Sequence, residues 1–138
     1  MDLYPKSTRS YVMSRIRKRN TKPEILLRRA LFAAGARGYR VHAKLPGRPD
    51  VVFSKARLAV FVDGCFWHQC RKCGIPVPQS NRAYWGPKLA RNIARDRRNN
   101  RQLRALGWSV FHLWEHQVVR DPAACAARVL RRYEKRLA

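Results

Sequence analysis

Within nine positions, Cys65 to Cys73, the chain places three cysteines, a histidine and a Phe-Trp pair, directly after Asp63-Gly64. Cys65 and Cys70 are separated by four residues, Cys70 and Cys73 by two. Thiolates at such spacing can close on one Zn²⁺ from a tight loop. A fourth ligand must come from elsewhere in the chain. His116 is the favoured choice, because it lies just past a strand expected to run beside the one ending at Val62. Cys125, His112 and His68 are the rivals. A four-ligand set leaves no open coordination position, so the zinc would be structural and would pin a loop without regular structure of its own.

The acids are few enough for their positions to carry information, eight in all. Asp50 opens one apolar run and Asp63 closes the next, with twelve residues between them. If the two runs form a hairpin, its open end brings these carboxylates together. Paired carboxylates in a basic protein can hold Mg²⁺ against a phosphate. His68 sits five residues after Asp63 and has the proton affinity for acid-base work near neutrality. Glu24 could orient it. Each has a plainer alternative: turn residues for Asp50 and Asp63, a helix-cap partner for Glu24, a spare zinc ligand for His68. Phe66, Trp67 and Trp85 are either core plugs or rings that stack on or wedge between bases.

The elements that must position these groups follow from pattern and charge. Lys and Arg number 31 against 8 Asp and Glu, a formal charge of +23. Such an excess calls for a polyanion, nucleic acid first. No run is long enough to span a membrane, no lone basic amphipathic segment favours a membrane surface, and a cytoplasmic location is expected. "STRSYVMSRIRKRN" reads as a basic helix. "TKPEILLRRALFAAG" reads as a second, with a Thr21–Glu24 capping box, an apolar stripe of Ile25, Leu26, Leu27, Ala30 and Leu31, and Gly35 at its end. "YRVHAKL" alternates like a strand, "LPGRPD" is a turn, and "DVVF" and "LAVFVDG" form a hairpin. "GPKLARNIARDRRNNRQLRALG" is a long helix with Leu89, Ile93, Leu103 and Leu106 facing the core. "WSVFHLWEH" is a fourth strand. "DPAACAARVLRRYEKRL" is a last helix capped by Asp121, with Cys125 as a small core residue. The order α-α-β-β-β-α-β-α predicts one α/β domain of three layers over residues 1–138.

The combination "LPGRPDVVF", "FVDGCFWH", the cysteine cluster, "RNIARDRRNNRQLRALGW" and "LWEH" closely resembles the very short patch repair (Vsr) DNA mismatch endonucleases, over most of the chain. The resemblance implies a restriction-endonuclease-like fold: a mixed sheet flanked by helices, with a structural zinc loop at 63–86 and a DNA-contacting helix within 1–20. It implies a Mg²⁺-dependent enzyme that nicks one strand of double-stranded DNA, 5′ of the T in T·G mismatches left by deamination of 5-methylcytosine. Carried over by position, Asp50 and the carbonyl of Val62 bind Mg²⁺, His68 is the catalytic histidine and Glu24 the acid supporting it. Asp63 stands where members vary, His among the alternatives. Cys65, Cys70, Cys73 and His116 match the zinc ligands. Phe66, Trp67 and Trp85 match aromatics that enter the DNA stack, and Met13 a residue inserted from the opposite groove. Lys88 and Asn92 are placed to contact bases. The Lys of the usual restriction-type motif is absent from "FVDGC", and His68 is read as replacing part of its role. A monomer is expected, in a bacterial cytoplasm at the nucleoid, with repair-machinery proteins as further partners. Rival readings are a zinc-stabilised DNA-binding module without activity, an RNA- or ribosome-binding protein, and a restriction-type nuclease that cuts both strands.

Overall fold

The structure, a computed structural model, describes residues 21–65, 70, 72–74 and 82–138. The expected N-terminal helix, with Met13, and the loop residues Phe66, Trp67 and His68 lie outside the described residues.

Helix α1, Lys22–Ala33, starts as expected, with Pro23 in its first turn and the Thr21 hydroxyl accepting from the Glu24 N–H. The other half of the capping box is not made. Glu24 shares the inward face with Leu27 and Leu31, and its carboxylate is turned under the helix toward His42, away from the cap. Strand β1 is only Arg40–Val41, because His42 takes the left-handed conformation (φ 53°) and breaks the extended run. β2 (Val51–Phe53) and β3 (Leu58–Asp63) form the antiparallel hairpin, with Val51 opposite Val60. β4 (Ser109–Trp114) pairs parallel with β3, so the sheet order is β1-β2-β3-β4. The parallel pair needs a crossover, and it contains helix α2, Arg82–Ala105. α2 begins four residues before the expected Gly86, which puts Pro87 inside it. Leu89 and Leu103 are buried as expected. Leu106 is instead 54% exposed, since the helix stops at Ala105 and Leu106 lies in the turn that reverses the chain into β4. A short helix not foreseen, α3 (Glu115–Arg120), leads into α4, Pro122–Leu137. Asp121 caps α4 by accepting from the Ala124 N–H at 3.0 Å.

The layers follow the period-two alternation of the strands. Val51, Phe53, Leu58, Val60, Phe111 and Leu113 face Leu27 and Leu31 of α1 and Cys125, Ala126 and Val129 of α4. Val52, Ala59, Phe61, Trp108 and Val110 face Leu103 of α2. The α1–α4 layer, the sheet and α2 are the three layers expected. Gly47, in the turn before Asp50, is held in the left-handed region (φ 78°), and a Cβ there would come 3.2 Å from Phe61 and Asn99. The glycine therefore lets this turn close against α2. No helix among the described residues is long and apolar enough to cross a membrane.

Candidate active site and metal centre

The open end of the hairpin assembles the acids. The Asp50 N–H donates to the Val60 carbonyl at 2.9 Å, continuing the ladder one step past β2. Its Oδ2 then accepts from the Val62 N–H at 2.6 Å. Buried Glu24 reaches the same place from α1 and is hydrogen-bonded to Asp50. Asp63 is near enough for its charge to act on Asp50. Burial, the Glu24 and Asp63 charges and the Glu24 hydrogen bond raise Asp50 to about 8, although the Val62 N–H opposes them. Three carboxylates crowded together hold a proton on Asp50 up to about pH 8, and a hard divalent cation, which fits their oxygen donors, can take that proton's place.

Two histidines join these acids, neither anticipated in this role. His42 Nε2 lies 3.3 Å from Glu24 Oε2. A left-handed non-glycine residue at an acid cluster costs backbone energy and was not foreseeable from an apparently alternating strand. His112, weighed above only as a zinc ligand, is not at the cysteine cluster; its Nδ1 lies 2.7 Å from Asp63 Oδ2. Strand alternation places it on the α2 face, a signal that becomes useful only once the β3–β4 pairing is known. Glu24 meets Asp50 and His42, while its expected partner His68 lies outside the described residues.

Next to this site stands a second cluster. His116 Nδ1 lies 3.3 Å from Cys65 Sγ, 3.7 Å from Cys70 Sγ and 3.3 Å from Cys73 Sγ. All four ligand atoms fall within 4.8 Å of one another. A tetrahedral Zn²⁺ with ordinary Zn–S and Zn–N lengths requires S···N separations of about 3.5 Å. The loop is shaped locally for this: the Cys70 N–H donates to the Cys65 carbonyl at 2.9 Å and the Gly74 N–H to the Cys70 carbonyl at 3.0 Å. The Glu115 carboxylate accepts from the Cys65 N–H at 2.7 Å, fastening β3's end to α3, which carries His116. Burial pushes the Cys65 thiol up to about 12, so a proton-bearing cluster would hold it neutral, and a metal would displace that proton. Cys125 is buried in the core, far from this role, as expected.

Outside the sheet, one side of α2 carries Tyr84, Lys88, Arg91, Asn92, Arg95 and Arg98 along a groove. Lys88 donates to the Tyr84 hydroxyl at 3.0 Å and lies over the Trp85 ring. Arg95 donates to Asn92 Oδ1 at 3.0 Å. Trp85 is 5% exposed and packs edge-on against Tyr84, which is 50% exposed.

The chain thus carries a basic helix groove and, at the ends of β3 and β4, a crowded carboxylate site and a cysteine-histidine cluster. Residues 1–73 match the family model described as DNA mismatch endonuclease Vsr. The chain belongs to the Vsr family. It is 40% identical over 115 residues to the DNA mismatch endonuclease Vsr of Escherichia coli, covering 83% of this chain and 73% of that one. Identity to the type II nicking enzyme V.NaeI of Lentzea aerocolonigenes is 42% over 131 residues, 91% of this chain and 78% of that one. Identity to the type II nicking enzyme V.XorIIP of Xanthomonas oryzae is 44% over 123 residues, 88% of each chain. This Vsr-family chain is therefore a DNA endonuclease with a restriction-endonuclease-like α/β fold, and DNA is its partner.

Proposed function

We propose that this Vsr-family endonuclease nicks one strand of duplex DNA on the 5′ side of the T in a T·G mismatch, of the kind left when 5-methylcytosine deaminates. The observation that carries the reading is the convergence of Asp50, Glu24 and Asp63 at the open hairpin end. In this reading Asp50 and the Val62 carbonyl hold Mg²⁺, and Cys65, Cys70, Cys73 and His116 hold a structural Zn²⁺. Bound Mg²⁺ supplies positive charge that offsets the charge building on the phosphate and on the leaving oxygen. Asp50 is kept in register by the Val62 N–H, so the cation's principal ligand is oriented before DNA arrives. Asp63 positions the attacking water, and His68, supported by Glu24, moves its proton.

The basic groove of α2 supports the docking part. Lys88 and Asn92 reach base edges, while Arg91, Arg95 and Arg98 neutralise phosphates. Met13, from the helix expected within 1–20, with Phe66 and Trp67 and with Trp85 from the start of α2, pries the wobble pair open. That pair stacks less well than a matched one, so opening it is cheaper by a few kcal/mol. The enzyme works as a monomer in the bacterial cytoplasm, at the nucleoid, ahead of repair-machinery partners.

The test is a strand-labelled nicking assay on T·G and T·A duplexes with Mg²⁺. A single nick confined to the T·G duplex, lost in Asp50→Ala and His68→Ala with mismatch binding retained, is expected. Cutting of both strands, or no cutting by folded zinc-loaded protein, overturns the reading.

A further inference from the structure

The sheet face under α2 is apolar until its last step. Val52, Ala59, Phe61, Trp108 and Val110 line it, and then β3 and β4 each present one polar residue, Asp63 and His112. An imidazole on an inward sheet face is costly unless its ring nitrogens find partners. Here both do: Nδ1 is 2.7 Å from Asp63 Oδ2, and Nε2 is 3.0 Å from Asn100 Oδ1 on α2. The ring also stacks on Phe61, its partner across the parallel ladder, at 4.7 Å between centroids and 9° between planes. Two hydrogen bonds and a stacking plane leave this ring no rotation of its own. It forms one wall of a cleft of about 200 Å³ that Asp63, Asp96 and Arg97 also line.

We propose that His112 is a positioning residue of the nuclease site: clamped by Asn100 and Phe61, it holds the Asp63 carboxylate in one orientation beside Asp50. This inference rests on the reading of Asp50 and Asp63 as parts of the nicking site. It adds to that reading a layer that acts only through Asp63. With this clamp, the carboxylate is set before substrate binds. Groups that orient a residue at a metal site from behind cost roughly 10- to 100-fold in activity or metal affinity when lost.

The two ring nitrogens allow a directed test. His112→Asn puts an amide nitrogen near the Nδ1 position, which faces Asp63. His112→Gln puts one near the Nε2 position, which faces Asn100. The expected single-turnover result on a T·G duplex is that His112→Gln slows nicking roughly 10- to 100-fold while His112→Asn keeps most of the rate. Duplex affinity is unchanged in both. In an Asp63→Asn background, His112→Gln causes no further loss. Calorimetric Mn²⁺ binding to the zinc-loaded chain without DNA is weakened in the Gln variant and retained in the Asn variant. A residue that merely staples α2 to the sheet predicts the reverse order, since Gln keeps the Asn100 contact, with the effect confined to the unfolding temperature. That order, equal rates in both variants, or losses additive with Asp63→Asn overturn the proposal. If the wild-type chain fails to nick, the functional reading falls, while the Mn²⁺ order of the two variants still decides the role of His112.

Discussion

Asp50→Asn should stabilise the protein while abolishing its activity. The Asn side-chain oxygen can still accept from the Val62 N–H, so the geometry that orients position 50 survives. What disappears is a charge that burial, Glu24 and Asp63 all oppose, raising Asp50 from 3.8 to about 8. Converted at 1.36 kcal/mol per unit, a rise of about four units sets a ceiling of 5–6 kcal/mol. Solvent relaxation around a partly exposed group reduces this, and about 2 kcal/mol is expected. For a domain of this size that corresponds to a rise of roughly 6–8 °C in the unfolding midpoint. The dependence on pH has a definite sign. Unfolded Asp50 loses its proton near pH 4, whereas folded Asp50 keeps it until about pH 8. Between those values the native state binds the extra proton, so its contribution to wild-type stability is present at low pH and declines as pH rises toward 8. The Asn variant has no such decline, and its advantage widens from pH 5 to pH 8. Thermal unfolding at both values reads it, in buffer without Mg²⁺ and without chelator, so that the thiolate cluster keeps its metal. Added Mg²⁺ should then raise the wild-type midpoint and leave the variant unmoved. An Asn variant no more stable than wild type at pH 8, or equally favoured at both pH values, would refute the electrostatic reasoning.

Strong chelation should release one zinc per chain and lower the unfolding midpoint, and Co²⁺ in its place should show the absorption of a tetrahedral thiolate site; His116→Ala should lose both the stoichiometry and the spectrum. Gly47→Ala should cost about 1–3 kcal/mol in denaturant unfolding, since φ 78° strains any Cβ and Phe61 and Asn99 stand 3.2 Å away. Leu27→Ala, at a fully buried position between α1 and the sheet, should cost about 3 kcal/mol with the nicking rate of the folded fraction unchanged. Arg91→Ala should weaken DNA binding and reduce the slope of log affinity against log salt by about one, read from binding isotherms at several salt concentrations.

Much of the site was legible because it depends on local chemistry. The cysteine spacing and a His just past a strand were enough to name the four residues that come together, since a strand pair fixes where both ends emerge. The meeting of Asp50 with the end of β3 followed from hairpin geometry alone. What was hidden depends on long-range pairing or on backbone exceptions. The clamp on Asp63 needs the parallel register that sets His112 beside Phe61, together with the turn of α2 that brings Asn100 over it. Glu24 reads as a cap partner in any sequence pattern; only the packing of α1 on the sheet shows that it shares a face with Leu27 and Leu31. His42 continues an alternating run on paper, and only its positive φ ends the strand there. Leu106 keeps helical spacing from Leu103, but the helix stops one residue short of it.

Both metal-type clusters occupy the same edge of the sheet, and the parallel pair explains why. β3 and β4 run the same way, so their carboxyl ends emerge side by side, the place where open α/β sheets usually hold ligands. From β3 come Asp63 and then Cys65; from β4 come Glu115 and His116. The Glu115 hydrogen bond to the Cys65 N–H and the three S···N contacts tie those two exits together. The antiparallel β2 completes the arrangement by starting where β3 ends, which delivers Asp50 to the Val62 N–H. A metal at the Cys-His knot would therefore act on the carboxylate site through geometry alone: it fixes the two residues after Asp63, on the strand whose backbone holds Asp50. Loosening the knot should disorder the acids before it unfolds the sheet, because the β2–β3–β4 core below is closed by Val51, Val60, Phe111 and Leu113 without help from either cluster.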